Sequence, residues 1–277
     1  MDAAFILGGG NGIRMGRLGR FLPKFSLVVY NQPLLARQLE TCLKDGVQDV
    51  YLSIREQDVE LVRTITNHYE GRLRIELLID ESPRGPVRAF VSALPQLAQH
   101  DTLFFLADIY TEAATFAGEL AGCDPTHAVL YTYHEPDLRR MSACCNVVAS
   151  GAVVREIIEK PAPERIDGTL CWTGITYLPA AYTSALLGYV NRCGSSGFSH
   201  IGELFQAALE EGLGVSQAPI EGEVCNITTP EDLAFASAVE LRRVFRDEPT
   251  QLHEAWDKIG AVYASPGSRG APSVTPP

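Results

Sequence analysis

The apolar run Ala3-Ala4-Phe5-Ile6-Leu7 leads straight into Gly8-Gly9-Gly10-Asn11-Gly12-Ile13-Arg14, and Lys24 of a Pro23-Lys24 pair stands ten residues beyond the arginine. The apolar run reads as a buried strand. Four glycines in five positions let the backbone turn sharply at its end and bring N–H groups close to a ligand. Arg14, Arg17, Arg20 and Lys24 put four cations within eleven residues of a chain whose net charge is −11. A glycine turn with local cations is what a bound polyphosphate requires. A surface turn with incidental basic residues has the same composition. Two other glycine motifs are excluded. No Lys-Ser or Lys-Thr follows the loop, so it is not a P-loop. Ile13 stands where a G-x-G-x-x-G fingerprint starting at Gly8 needs its third glycine, and Glu40, the nearest acidic candidate for the ribose, falls within an amphipathic helix.

The first half of the chain alternates strand-like and helix-like segments. Residues 34–45 place Leu35, Leu39, Cys42 and Leu43 on one helical face, and Gly46 ends the helix. Residues 49–54 and 73–79 read as strands around a helix at 58–68, where Val59, Val62 and Ile65 recur at helical spacing. A turn at Pro83-Arg84-Gly85 opens a helix through Leu94, and Thr102-Leu-Phe-Phe-Leu-Ala107 is a short apolar strand. This alternation predicts an α/β fold, a Rossmann-like, mostly parallel sheet with helices on both faces. The second half is mixed. Strands are expected at 127–133, 143–149, 152–158 and 169–178, with a hairpin turn at Ser150-Gly151. Helices are expected near 180–191 and 201–211. Thr229-Pro230-Glu231-Asp232 starts a last helix that runs to about Phe245, through a Thr cap, a proline in the first turn and an acid three residues on. Its charged surface is either a solvated face or a subunit contact.

A chain of 277 residues can bury a substantial core. The expected organisation is one domain over 1–246 and a C-terminal extension over 247–277, whose residues 264–277 are too rich in Pro, Gly and Ser to bury a core and read as disordered. The acidic balance argues against a nucleic-acid partner. No apolar stretch is long enough to cross a bilayer, and the N-terminus lacks a basic segment followed by a secretory apolar region, so a cytoplasmic protein with no membrane partner is expected. The seven cysteines are odd in number and contain no C-x-x-C, which argues against a disulfide framework or a structural zinc. The vicinal Cys144-Cys145 reads as two reduced, buried thiols. A homo-oligomer is compatible with the sequence but not dictated by it.

Two further clusters carry chemistry. Asp108 directly follows the strand ending at Ala107, so it and the glycine loop leave the carboxyl ends of their strands and face one crevice. There it would either hold Mg²⁺, a hard cation suited to oxygen ligands, or serve as a helix cap or solvated carboxylate. Glu159-Lys160-Pro161 closes the strand Val153-Val-Arg-Glu-Ile-Ile158. Lys160 there would carry a phosphate and Glu159 accept a hydroxyl, or the two would form an exposed charge pair.

Taken in order, these pieces resemble the sugar nucleotidyltransferases, the NDP-sugar pyrophosphorylases. The carriers are Gly9-Gly10-Asn11-Gly12-Ile13-Arg14-Met15 with Pro23-Lys24, then Glu81-Ser-Pro-Arg-Gly-Pro-Val-Arg-Ala89, Phe105-Leu-Ala-Asp108, Val153 to Pro161, Trp172-Thr-Gly-Ile175 and Asn226-Ile-Thr-Thr-Pro-Glu-Asp-Leu233. The resemblance covers about residues 3–240 and implies a GT-A-like nucleotidyltransferase fold. It implies an Mg²⁺-dependent enzyme that condenses an NTP with a sugar 1-phosphate to an NDP-sugar and pyrophosphate. Leu7, Gly8, Gly9, Gly10, Gly12, Glu81, Gly85 and Asp108 would line the nucleotide. Asn146, Glu159, Trp172, Thr173 and Gly174 would line the sugar. Arg14 would stabilise the departing phosphates, Lys24 the transferring or acceptor phosphate and Lys160 the sugar phosphate, with the metal on Asp108 and Asn226.

The chain also departs from the family pattern. Ile13 replaces a Thr, Asn226 an Asp and Trp172 a small polar residue, and Asn146 stands where a Gly often lies. These changes imply an intact phosphate machinery and an altered acceptor pocket, suited to an unusual sugar or cyclitol phosphate. Trp172 equally fits ordinary core packing. Two other readings stand beside this one: a cytidylyltransferase acting on a polyol, choline or phosphonate, and a catalytically silent nucleotide-sugar-binding subunit.

Overall fold

The computed structural model describes residues 1–9, 15, 16, 19, 21–79 and 85–247. The elements in chain order are β1 (Ala3–Leu7), β2 (Val28–Val29), β3 (Gln32–Pro33), α1 (Leu34–Lys44), β4 (Asp49–Ile54), α2 (Val59–Thr66), β5 (Arg74–Ile79), α3 (Pro86–Leu97), β6 (Thr102–Leu106) and β7 (Ile109–Thr111). They continue with β8 (Ala128–His134), α4 (Leu138–Met141), β9 (Cys145–Ser150), β10 (Val153–Glu159), β11 (Leu170–Leu178), α5 (Ala180–Cys193), α6 (Ile201–Glu210), β12 (Val215–Pro219), β13 (Val224–Asn226) and α7 (Pro230–Asp247).

The main sheet has nine strands in the order β5-β4-β1-β6-β11-β8-β12-β10-β9. The first four neighbours pair in parallel, as the βα alternation requires. Following the pairings outward, only β11 and β10 run against the other seven strands. Both faces are covered at the centre of the sheet, so β1 and β6 are apolar on both sides. Along β1, Ala4 and Ile6 enter the core that α1 and α2 close, while Phe5 and Leu7 enter the core that α3, α5 and α6 close. The second core is built on an aromatic chain in which Phe90 meets Phe104 and Phe205 at ring centroids 5.2 and 6.2 Å apart.

Local signals account for most element boundaries. Gly85, at φ +100°, caps α3, and Pro86 follows at the first position, where its missing N–H costs nothing. The helix passes Leu94 and continues through Pro95 to Leu97, whose side chain is fully buried in the second core. At α7, Asp232 N donates to Thr229 Oγ1 at 3.3 Å, and Asp232 Oδ2 accepts from Thr228 N and Thr229 N at 2.9 and 2.8 Å. This is the reciprocal cap anticipated from Thr-Pro-Glu-Asp. The segment expected as one helix over 58–68 is α2 flanked by two single 3₁₀ turns, Glu56–Asp58 and Asn67–Tyr69. Strand β12 and the two small ribbons β2–β3 and β7–β13 were not expected, and four of the five strands involved are too short to show a period. The residues of the proposed C-terminal extension beyond 247 lie outside the described residues.

Candidate active site

Strands β1 and β6 end side by side, and the segments leaving their carboxyl ends form one wall of a cleft. Gly8 N donates to Ser53 O at 2.8 Å, so the chain stays hydrogen-bonded to β4 as it leaves β1. A Cβ on Gly8 would lie 3.0 Å from that same carbonyl, whereas one on Gly9 would meet nothing within 4 Å. The first glycine thus serves packing and the second leaves open space beside the backbone. Asp108 follows β6, and Lys24 reaches it from a 3₁₀ turn, with Nζ 2.6 Å from Oδ2. Their side chains are 13% and 23% exposed, so the pair lies at the cleft surface and not in bulk solvent.

Asn226 arrives by the small ribbon. Strand β13 pairs with β7 in the register Asn226↔Ile109, and Ile227 N donates to Asp108 O at 2.8 Å. The carboxylate and the amide are therefore set by adjacent backbone. Both offer hard oxygen donors, as a small divalent cation prefers. Among the described residues no group of three or more His, Cys, Asp or Glu is placed to hold a metal ion. An ion here would complete its shell with substrate phosphates and water, the usual arrangement for such a cation. Beneath the ribbon, Gly174 sits at φ +87°, and a Cβ there would stand 2.9 Å from Ile109 Cγ1 and 3.0 Å from Leu106 Cδ1. It occupies the bulge of β11 between Trp172 and Thr176.

The opposite wall comes from the β9–β10 hairpin. Strand β9 pairs with β10 and also touches β11 at Cys171↔Asn146. The base of the hairpin, where Cys145 pairs with Glu159, is thereby brought against the cleft. Lys160 comes next, in the left-handed region at φ +46°, with its N–H donating to Cys144 O at 2.8 Å. The resulting cleft has a volume of about 470 Å³. Leu7, Gly8, Gly9, Lys24, Gly85 and Asp108 line it from the β1 and β6 side. Glu159, Lys160, Trp172, Thr173, Gly174 and Asn226 line the remainder. Gly10, Gly12, Arg14 and Glu81 lie outside the described residues.

Asn146 is placed elsewhere. It is fully buried behind the wall, where its amide nitrogen donates to Asp167 O and Leu170 O and its oxygen accepts from Asp167 N at 3.1 Å. Its hydrogen bonds hold the loop that enters β11, so its expected sugar contact gives way to a backbone role. Trp172 is 7% exposed, stacks on Phe104 with centroids 6.2 Å apart, and donates its indole N–H to Ile175 O at 2.8 Å. It reaches the cleft as the edge of the second core. Thr173 Oγ1 accepts from Ile175 N at 3.0 Å and supports the same bulge.

Tyr133, Arg140, Cys144, His200 and Asp232 also line the cleft. Asp232 was legible only as a helix cap, and Cys144 only as one of two thiols. His200 carried no sequence signal, because its position depends on how α6 docks. Burial pushes the Glu159 carboxyl up, and the neighbouring Lys160 ammonium acts against it. A hydrogen bond from Cys171 pulls the Cys144 thiol down against its burial, and the Tyr133 hydroxyl, 3.5 Å away, acts in the same sense. Cys145 is driven the other way by burial and by Glu159. No helix among the described residues is long and apolar enough to cross a membrane.

Known proteins share both sequence and fold with this chain. The mannose-1-phosphate guanyltransferase of Yarrowia lipolytica is 24% identical over 165 residues, 58% of this chain and 42% of that protein. The chain thus spans less than half the length of this curated relative. A UDP-glucose pyrophosphorylase complexed with UDP-glucose superposes with a TM-score of 0.73 at 12% identity, over 88% of this chain and 99% of that one. The UTP-bound UGPase of Acinetobacter baumannii superposes with a TM-score of 0.72 at 16% identity, over 94% and 98%. At such identities these two structures establish the fold. A family model for nucleotidyl transferases matches residues 3–264. With nearly the whole chain so matched, the protein belongs to the nucleotidyl transferase family.

Proposed function

We propose that this protein transfers a nucleotidyl group from an NTP to a sugar 1-phosphate, releasing pyrophosphate. The observation that carries this reading is the convergence of Lys24 and Asp108 with Glu159 and Lys160 on the walls of one cleft. Two polyanions must meet there, and their repulsion is the main obstacle to reaction. Catalysis is then positioning and charge neutralisation. An oxygen of the acceptor phosphate attacks the α-phosphorus, the bond from that phosphorus to the bridging oxygen breaks, and pyrophosphate leaves. No covalent enzyme intermediate is needed.

Lys24 neutralises the transferring or acceptor phosphate. Lys160 holds the acceptor phosphate from the hairpin side, and Glu159 accepts a hydroxyl hydrogen bond from the sugar. Arg14, which follows the glycines in the sequence, would stabilise the departing phosphates. Asp108 and Asn226 would hold Mg²⁺, which supplies charge neutralisation between donor and acceptor when bound. The relative named a mannose-1-phosphate guanyltransferase supports GTP and mannose 1-phosphate as the first pair to try. The thiol-lined acceptor end, with Cys144, Cys145 and Cys225, supports including less common sugar and cyclitol phosphates.

The test is pyrophosphate release with Mg²⁺ across ATP, CTP, GTP, UTP and dTTP, each paired with a panel of sugar 1-phosphates and cyclitol phosphates. Release with one pair is expected. Nucleotide binding without release from any pair would overturn the reading in favour of a binding subunit.

A further inference from the structure

The Lys160 ammonium has two partners that compete for it. Next to it in the chain, Glu159 Oε1 lies 3.7 Å away. Across the cleft edge, His200 Nε2 is within hydrogen-bonding reach of Nζ. Lys160 is one of only two non-glycine residues with positive φ among the described residues, so its backbone is held in a conformation that side-chain-bearing residues seldom adopt.

His200 is held as firmly. It is the residue before α6, and α6 is clamped to the end of β10. Gln206 Oε1 accepts from Ile157 N at 2.7 Å. A Cβ on Gly202 would stand 2.6 Å from Glu159 Oε2 and 2.8 Å from Cys145 Sγ, so a side chain there would push Glu159 and Cys145 aside. Glu203 Oε2 accepts from Ser199 N and His200 N at 2.7 and 3.1 Å. An ammonium can only donate, so His200 Nε2 accepts and the ring proton resides on Nδ1. Nδ1 lies 3.4 Å from Glu203 Oε1 without a hydrogen bond, so the contact with Lys160 alone sets the tautomer.

We propose that His200 is a positioning residue for the transfer reaction: through Nε2 it holds the Lys160 ammonium away from Glu159 and toward the acceptor phosphate. The inference rests on the nucleotidyl-transfer reading for its catalytic consequence, but the contact itself can be tested without turnover. In His200→Ala the ammonium falls back onto Glu159. KM for the acceptor phosphate then rises about tenfold, the scale of one hydrogen bond to a charged group. The KM for the nucleotide stays unchanged and kcat changes little. His200→Gln, which can return an acceptor oxygen near the place of Nε2, restores most of the acceptor KM. On a Lys160→Ala background, His200→Ala adds no further loss.

The independent readout is long-range ¹H–¹⁵N NMR of protein labelled at its six histidines, with the His200 signals assigned by their loss in His200→Gln. The expected tautomer is Nδ1–H, against the usual preference of free imidazole, and Lys160→Met should abolish it. An Nε2–H tautomer in the wild-type protein overturns the contact whatever the kinetics. An unchanged acceptor KM in His200→Ala, in an enzyme that turns over, overturns the positioning role. Absence of pyrophosphate release from the wild-type protein overturns the transfer reading, while the tautomer still decides the contact.

Discussion

Lys24 Nζ and Asp108 Oδ2 stand 2.6 Å apart although 84 residues separate them in the chain. The pair joins the turn beyond the glycine loop to the end of β6. Each group holds the other in place at the cleft surface, where a phosphate would take Lys24 and a divalent ion would take Asp108. On the proposed reading, substrates replace this ion pair with stronger contacts of their own.

Removing either partner should therefore cost far more in catalysis than in folding. A pair at the rim of a cleft, open to solvent on one side, contributes about 1 kcal/mol to stability. Asp108→Ala and Lys24→Ala are each expected to lower kcat/KM by about two orders of magnitude, the effect of losing one electrostatic stabiliser. Steady-state pyrophosphate release measures this. Turnover near the wild-type rate in either variant would remove the pair from the reaction.

Much of this site was legible in the sequence because its parts sit where local rules apply. A strand that runs into glycines and a strand that runs into Asp108 must deliver both to the same sheet edge. The base of the hairpin was harder. Its place in the cleft depends on β9 touching β11 at Cys171↔Asn146, a pairing that no local pattern encodes. Asn146 was misplaced for that reason: the contact that brings Cys145 to the cleft takes Asn146 out of it. His200 was invisible because a histidine before a helix has no periodicity. Its place beside Lys160 depends on the close approach of α6 to Glu159 at Gly202.

Gly174 ties the fold to the site. Its positive φ and the closeness of Ile109 and Leu106 both exclude a side chain. Gly174→Ala is expected to destabilise the protein by about 1–3 kcal/mol, through strain and overpacking together. Gly151→Ala is the control, because Gly151 also has positive φ, +62°, but a Cβ there meets nothing within 4 Å. Thermal unfolding should show a larger fall in Tm for Gly174→Ala. Equal falls would mean that contact with Ile109 and Leu106 contributes nothing.

Glu240 anchors α7. Its buried carboxylate accepts from Tyr110 Oη at 2.9 Å and Arg243 Nη2 at 2.7 Å, and lies 3.0 Å from Arg37 Nη1. Burial alone would raise its carboxyl, but Arg243, Arg37 and Tyr110 together hold it down at about 2. An unfolded glutamate titrates near about 4.3. Between those values the unfolded chain binds the proton and the folded chain does not, so this stabilisation is complete above the upper value and fades as pH falls toward the lower. Glu240→Ala, which leaves Arg37 and Tyr110 facing a vacated site, is expected to cost about 3 kcal/mol at neutral pH. Denaturant unfolding at several pH values should show a smaller gap between variant and wild type at pH 3 than at pH 7. A gap that does not change with pH would contradict the assignment.

Cys144 and Cys145 are neighbours in sequence with opposite chemistry. Cys144 lines the cleft half-buried, and the Cys171 hydrogen bond pulls its thiol down. Cys145 is buried at the cleft wall, and burial with Glu159 pushes its thiol up. The thiolate is the nucleophile, so iodoacetamide near neutral pH should alkylate Cys144 at least about tenfold faster than Cys145. Cys193 is exposed on α5, outside the cleft, and provides an internal reference. Saturating nucleotide sugar should slow labelling of Cys144 and leave Cys193 unchanged, as read by peptide mass spectrometry. Equal rates at Cys144 and Cys145 would refute the lowered thiol. Protection absent at Cys144, with nucleotide sugar demonstrably bound, would place the ligand away from the hairpin wall and shift the acceptor site toward Arg140 and Asp232.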